Sequence, residues 1–484
     1  MIKFSILLPT KDRLELLKHA VKSVQAQEYS NWELIISDNC SKMNIANWVR
    51  SLGDERIKYF RQNTPLSVTE NWNKATEYAT GDYKIMLGDD DALIPGALQL
   101  LYDKIISNEF PELIVFPSIL YLQPDVDPVY KEGSITKCSP LVEVSNEQLI
   151  PIELRKKIVA DCCELKRIIG FNMQFYCYSK ILEEKIKLYG KVYEPPYPDY
   201  YTASLMLYIA EKVLYIAEIV TIIGITPKSY GYYYRNNIEK EGMEFHKEKD
   251  YRIYAPESIK DKLCSVDEMS TAGIATFALL AQKIDTLKIN IYNYYKAVIF
   301  SQAKITPKSI LKKLYEEEIA PNVDEQEENA LLEYMEDAYA NTEIVKRDIK
   351  PRKLPFANVS QVLSYYDRMD KILYGDADID LWLERKSKDM PFKESIYIWG
   401  AHIRGKLIRD ALQKKGILIE GYIDSDTAKK EFDNLKVFRP EEILTQEKKN
   451  IIVSQRRIYQ NIVDTLEQEG FVSEDGYWYK KCER

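Results

Sequence analysis

From Phe4 to Asp91 short apolar strands alternate with amphipathic helical stripes, and the polar residues collect where the strands end. Phe4-Ser5-Ile6-Leu7-Leu8-Pro9 reads as a buried strand closed by Pro9. Leu14 to Gln27 carries apolar residues at Leu14, Leu17, Ala20, Val21 and Val24, the stripe of a helix with one buried face. Trp32–Ser37 is a second strand with the polar exit Asp38-Asn39-Cys40-Ser41. Asn44–Leu52 reads as helical and Ile57–Phe60 as a third strand. Another helix spans Asn71–Ala79, and Thr80-Gly81-Asp82 closes it with Gly81 as the C-cap. The strand Tyr83–Leu87 then runs through Gly88 into Asp89-Asp90-Asp91, and a further helix follows Ile94-Pro95-Gly96. This alternation restricts the chain to a mostly parallel α/β sheet with its functional loops at the strand C-termini. Asp38 and Asp89–Asp91 both fall at such ends.

Three adjacent carboxylates repel one another unless something positive sits beside them. Hard oxygen ligands on a loop suit Mg2+ or Mn2+, which usually also binds a substrate phosphate. A solvated acidic turn is the alternative. Composition narrows the setting. At 484 residues the chain calls for two or three domains, and 45% hydrophobic with 29% charged residues describes a globular protein. The net charge of −8 argues against a nucleic-acid binder. Seven cysteines without a CxxC pair indicate neither a disulfide framework nor a zinc knuckle. Adjacent Cys162-Cys163 read as core residues rather than redox partners. Only three histidines are present, His19, His246 and His402, which disfavours a histidine-rich metal site. The apolar stretch before Lys11 is too short for a secretory signal, and no run approaches the roughly 20 apolar residues of a membrane span. A cytoplasmic location is expected.

Strands are expected at Glu112–Phe116 and Gly170–Tyr178. A helix at Tyr200–Lys212 follows the proline-rich turn Glu194–Asp199, with Asp199 at its N-cap. From about residue 245 the chain turns to charged, helix-forming stretches such as Ile310–Ile319 and Asp324–Tyr339. The α/β pattern restarts at Ser395–Trp399, with the helix Lys406–Lys415 and strands at Ile417–Ile423 and Ile451–Ser454. The expected organisation is an α/β domain over 1–245, a helical connector or accessory region over 246–390 and a small Rossmann-like domain over 391–484.

Four ordered segments carry a family resemblance: Phe4–Arg13 (FSILLPTKDR), Trp32–Ser41 (WELIISDNCS), Asn71–Tyr83 (NWNKATEYATGDY) and Leu87–Asp91 (LGDDD). In order and spacing they resemble the family-2-type glycosyltransferases of the GT-A fold, over about residues 3–235. The resemblance implies a metal-dependent, inverting transfer from a nucleoside-diphosphate sugar to a glycan or lipid-linked glycan acceptor. The setting would be synthesis of a bacterial surface polysaccharide such as capsule or O-chain, with peripheral association at the cytoplasmic membrane face and homo-oligomerisation left open.

By the same resemblance, Thr10 and Asp12 would lie beside the nucleotide base and ribose, and Asp38 would accept a hydrogen bond from the base. Family members often carry Asp-Asp-Gly-Ser where this chain has Asp38-Asn39-Cys40-Ser41; UDP is the expected nucleotide. Asp90 would bind Mn2+ or Mg2+, Asp89 would face the ribose or the metal, and Asp91 would stand behind them in the metal set. Lys74 would approach the diphosphate, with a solvated helix lysine as the alternative. A general base must reach the acceptor hydroxyl, and Asp199 matches the family position, although Pro198 replaces the usual Glu. His246 is a further metal-site candidate, with a surface histidine as its alternative. Tyr200-Tyr201 and the run Tyr230–Arg235 form either a sugar platform or core packing.

Near the C-terminus Gly400 and Gly405, with Asp424 downstream, resemble a dinucleotide fingerprint whose middle glycine is replaced by His402. That replacement weakens a cofactor site and leaves assembly or docking as the other reading. Two rival functions differ in kind. A sugar-phosphate nucleotidyltransferase would need a glycine-rich loop after the first strand, and Pro9–Arg13 has no glycine. A non-catalytic assembly protein would not need Asp38, Asp90 and Asp199.

Overall fold

In the computed structural model the chain divides into two compact units, Met1–Ser364 and Tyr365–Arg484. The structure describes residues 2–342 apart from 128–132, 142, 145, 168–169, 237, 239–240 and 243–249, together with Val359. From 395 to 481 it describes all but 402, 415, 426–428, 446–448, 455–461, 463–464, 467 and 474–477. His246 and His402 lie outside the described residues. Among those described, no helix is long and apolar enough to cross a membrane.

The first unit is mixed α/β. It opens with β1 (Phe4–Thr10), α1 (Leu14–Gln25), β2 (Trp32–Asp38), α2 (Ile45–Ser51), β3 (Ile57–Arg61), α3 (Val68–Glu77) and β4 (Tyr83–Met86). It continues through β5 (Ala92–Leu93), α4 (Ala97–Ser107), β6 (Leu113–Val115), β7 (Ser118–Leu122), β8 (Ser134–Cys138), β9 (Gln148–Leu149) and α5 (Ile152–Cys163). Then come β10 (Tyr176–Ser179), α6 (Lys180–Lys187), α7 (Pro198–Ile209), β11 (Val213–Tyr215), β12 (Thr221–Ile225) and α8 (Tyr230–Arg235).

An eight-stranded sheet runs in the order β3-β2-β1-β4-β10-β6-β11-β9. The first four strands are parallel, and β10 enters antiparallel between β4 and β6. Phe4, Ile6, Leu7 and Leu8 are all fully buried, as a strand covered on both faces requires. The register sets Thr10 opposite Asp38 and Leu7 opposite Met86, so three strand exits converge. A second sheet, β5-β12-β7-β8, pairs Ala92 with Ile222 and Leu93 with Thr221. That pairing carries the segment after β12 back to the loop before β5. The site depends on it.

Three local departures from expectation have clear causes. Helix α3 starts at Val68 rather than Asn71, because Ser67 and Glu70 form a reciprocal capping box. Gly81 is not its C-cap: the helix ends at Tyr78 in the right-handed region. A Cβ on Gly81 would lie 2.6 Å from Ser5 Oγ and 2.7 Å from the Lys3 carbonyl, so glycine permits the close approach of this turn to β1. Of the expected strand Gly170–Tyr178 only Tyr176 onward joins the sheet, after a 3-10 turn at Met173–Phe175.

The helices after Tyr251 belong to the first unit. Phe277 and Leu280 of the helix Glu268–Lys283, with Ile284 and Leu287 beyond it, join the core built on Leu7, Met86 and Val115. Tyr294, Tyr295, Val298, Leu331 and Met335 form a separate cluster with Ile274.

The second unit contains a seven-stranded sheet. Ser395–Trp399 pairs in parallel with Gly421–Ile423 and Lys449–Val453, and the helix Ile403–Gln413 lies between the first two in sequence. Ile396 and Ile398 enter one apolar cluster while Tyr397 and Trp399 enter another, as strand alternation dictates. Asp424 is buried, and its Oδ2 accepts from the Ala401 N–H at 3.1 Å and from Lys429 at 3.1 Å. Its carboxylate holds the Gly400–Ala401 turn in place.

Candidate functional site

The exits of β1, β4 and β12 and the start of α7 enclose a cavity of about 680 Å³. Thr10, Asp12, Asp89, Asp90, Asp91 and Asp199 all line it. Residues far apart in sequence therefore meet in one place.

Within the acidic motif the three carboxylates do different things. Asp89 is 3% exposed and accepts from Thr10 Oγ1 at 2.7 Å and from Arg13 Nη1 at 3.0 Å. Asp90 accepts from Ser229 Oγ and lies 3.8 Å from Arg13 Nη1. Burial pushes its pKa up to about 6; Asp89 adds to the rise and Arg13 opposes it. Burial disfavours the charge on Arg13, yet Asp89 and Asp90 outweigh it and raise the guanidinium's pKa.

Asp91 stands behind the other two. At 1% exposure, its Oδ2 accepts from the Gly88 N–H at 2.6 Å and its Oδ1 from the Gly224 N–H at 2.8 Å. It braces the acidic loop against β12 instead of presenting a ligand. Burial and the neighbouring Asp90 hold its pKa well up. Asp91→Ala leaves two N–H groups without their acceptor and is expected to destabilise the fold by about 1–3 kcal/mol, measured by chemical denaturation.

Thr10 and Asp12 organise the β1 exit. Asp12 has φ +54 and donates its N–H to Ser41 Oγ at 2.8 Å, while its Oδ1 accepts from the Lys42 N–H at 2.6 Å. The exits of β1 and β2 are thereby tied together. Asp38 lies behind this junction, 0% exposed: Oδ1 accepts from the Ser41 N–H at 2.9 Å and Oδ2 accepts from the Tyr59 hydroxyl. In this arrangement Asp38 shapes the loop, and its neighbour Asn39 borders the cavity. Asn39 is itself clamped at both ends of its amide to Leu66.

Lys74 is not brought to the site. It projects from α3 into a separate groove of about 300 Å³ and pairs with Glu77 at 2.6 Å. The cations that line the acidic cavity are Lys11, Arg13 and Lys228. Arg13 sits inside one of the quoted segments, three positions after Thr10, and was legible as a loop residue. Nothing in the sequence announces that Lys228 and Ser229 return to Asp90.

Asp199 is not the N-cap of α7. Tyr197 holds that place, Pro198 is the first helical residue and Asp199 the second. Pro198 is thus explained, since proline's fixed φ suits the first turn and its missing N–H costs nothing there. Asp199 Oδ1 accepts from the Tyr200 N–H at 2.9 Å. Burial pushes its pKa up to about 7. Tyr197, Tyr200, Tyr230 and Tyr233 share the cavity wall with it, together with Met269 from the helix Glu268–Lys283. The hydroxyls of Tyr197 and Tyr230 are 2.8 Å apart. Tyr201, by contrast, is fully buried and receives a hydrogen bond from Lys283 at 3.0 Å.

Among the described residues, no group of three or more His, Cys, Asp or Glu side chains is arranged to hold a metal ion by itself.

Comparison with known proteins places residues 5–131 in the glycosyl transferase family 2 model, and residues 392–475 match a model described as C2185-like, N-terminal. The GalNAc(5)-diNAcBac-PP-undecaprenol beta-1,3-glucosyltransferase of Campylobacter jejuni is 39% identical over 107 residues, covering 22% of this chain and 35% of the relative. The putative colanic acid biosynthesis glycosyl transferase WcaA of Escherichia coli K12 is 31% identical over 140 residues, covering 28% of this chain and 50% of the relative. The chain thus spans 35% and 50% of the length of these two curated relatives. Among solved structures, residues 1–349 of S. aureus TarS align over 72% of this chain and 92% of that chain, at 12% identity and a TM-score of 0.38.

Proposed function

We propose that this chain, whose residues 5–131 carry a glycosyl transferase family 2 domain, transfers a sugar from a nucleoside-diphosphate donor to a glycan acceptor with inversion at the anomeric carbon. The observation that carries the reading is the meeting of Asp89, Asp90 and Asp199 in one cavity with a wall of tyrosines. Paired carboxylates beside a strand exit suit the diphosphate end of such a donor. A carboxylate with a pKa near 7 suits a general base working at neutral pH.

Asp89 and Asp90 would hold Mn2+ or Mg2+. The donor set fits: two carboxylates are too few for a closed site, and these ions commonly complete their coordination with water and substrate phosphate. Burial, with Asp89 adding to it, disfavours the charge on Asp90, and a bound cation would offset both. When bound, the ion supplies charge neutralisation for the departing diphosphate. The protein's own part is to orient and to move one proton. Thr10 and Arg13 fix Asp89, and Asp12 fixes the loop that borders the nucleoside. Asp199 takes the proton of the acceptor hydroxyl as its oxygen attacks the anomeric carbon. The bond from that carbon to the phosphate breaks, and its electron pair leaves on the diphosphate.

A UDP-sugar is the favoured donor and a lipid-linked glycan of a bacterial surface polysaccharide the favoured acceptor. The activities named for the Campylobacter and Escherichia relatives support the acceptor class, and the cytoplasm is the proposed location. The full chain, incubated with Mn2+, a panel of UDP-sugars and lipid-linked glycans, is expected to release UDP with one donor. Proton NMR of the product should show the anomeric configuration inverted. A retained configuration contradicts the base assigned here, and absence of UDP release across the panel contradicts the donor.

A further inference from the structure

The turn after β12 is built more firmly than a surface loop needs to be. Its members bond to one another: the Thr226 N–H donates to Ser229 Oγ at 2.9 Å, and the Lys228 N–H donates to Thr226 Oγ1 at 3.1 Å. The end of β12 and this turn are also fastened to the acidic motif at two points and to the β1 exit at a third. The Gly224 N–H donates to Asp91, Ser229 Oγ donates to Asp90, and the Lys228 carbonyl accepts from Arg13. A Cβ on Gly224 would overlap the Asp90 carbonyl, so the two backbones touch.

These fastenings fix where Lys228 stands. Lys228 is exposed, borders the cavity, and has no ion-pair partner among the described residues. Arg13, the neighbouring cation, is committed to Asp89 and Asp90. A lysine that borders an acidic cavity and is paired with none of its carboxylates is a cation able to meet an anion there.

We propose that Lys228 is the donor-diphosphate ligand of this site, binding the phosphate oxygens directly and meeting the charge that builds on them as the sugar departs. The inference rests on the nucleoside-diphosphate reading above and deepens it. In the transfer step the acceptor oxygen forms the new bond to the anomeric carbon and its proton goes to Asp199. The electron pair of the broken bond goes to the phosphate oxygen, and the Lys228 ammonium pairs with that oxygen while keeping its own proton. An ammonium serves here as a compact point charge on a flexible stem, which can follow the phosphate as its charge grows. Helix α3 offers Lys74 for the same role from sequence, but Lys74 is occupied by Glu77 in another groove.

The test is calorimetric titration of the full chain with pyrophosphate in the presence of Mn2+, a probe that does not depend on which base the site reads. Wild type, Lys228→Ala and Lys228→Arg are compared. Lys228→Ala is expected to lose on the order of tenfold or more in pyrophosphate affinity, and Lys228→Arg to retain most of it. The loss should shrink at high salt, as a charge contact requires. Because Lys228 is exposed, the variant's melting temperature should match wild type. Equal pyrophosphate affinity in wild type and Lys228→Ala overturns the role of Lys228 and leaves the donor reading standing. No pyrophosphate binding by wild type overturns both.

Discussion

Asp199→Asn is expected to lower turnover by about 10²–10⁴-fold while leaving nucleoside-diphosphate affinity unchanged. Asparagine keeps the size of the side chain and an oxygen for the Tyr200 N–H, so the start of α7 is preserved. What it removes is the ability to take a proton from the acceptor hydroxyl. The pH profile gives an independent check. Burial pushes Asp199 up to about 7, so in wild type the rate should rise about tenfold per pH unit below that value and level off above it. The residual activity of Asp199→Asn should lack that limb. Steady-state rates from pH 5 to 9, alongside titration with the nucleoside diphosphate, test both statements.

The same raised pKa has a consequence for stability, with a definite sign. A carboxyl whose folded pKa lies above its unfolded value costs nothing when both states are protonated, near pH 3. The cost grows as pH rises through the unfolded value of about 4 and is complete above the folded value of about 7. Asp199→Asn removes it. The variant should therefore melt higher than wild type at pH 8, with the difference vanishing toward pH 4, as thermal denaturation at the two pH values would register. An enzyme that becomes more stable as it loses turnover is the signature of a functional carboxylate kept at a cost to the fold.

Asp90→Ala is the second large effect. Transfer should fall by about 10²–10³-fold, because stabilisation of the leaving diphosphate is lost at its centre. The response of diphosphate affinity to Mn2+ should disappear with it. Asp91→Ala offers the contrast within one tripeptide: its loss is read first in denaturation, since its oxygens serve the Gly88 and Gly224 N–H groups. Titration of the two variants with and without Mn2+ separates a ligand from a brace. An Mn2+ response retained by Asp90→Ala would remove Asp90 from the metal's coordination.

Much of this arrangement is legible in the sequence, and the reasons for the exceptions are physical. Buried strands such as Phe4–Pro9 and the stripe of α1 announce themselves by period. Ser67 and Glu70 carry a capping signal in the sequence, and it moves the start of α3 from the expected Asn71 to Val68. Lys74 and Glu77, three apart on that helix, were readable as a pair. Asp89, Asp90 and Asp91 are chemically identical in sequence, and only backbone direction decides which turns its carboxylate to the Gly88 and Gly224 N–H groups. Pro198 departs from the family pattern in sequence, and its place as the first residue of α7 accounts for it. The return of Lys228 and Ser229 to Asp90 depends on the pairing of β5 with β12, a contact across most of the domain that no local pattern encodes.

The central claim is that the acid pair and the cavity beside it form a nucleoside-diphosphate site. Thermal-shift measurement of the full chain against UDP and the other nucleoside diphosphates, with and without Mn2+, tests it most directly, because a ligand bound only by the folded state raises the melting temperature by mass action. An Mn2+-dependent rise with UDP that Asp90→Ala abolishes is the expected result. No rise with any nucleoside diphosphate, or a rise that Asp90→Ala retains in full, would contradict it.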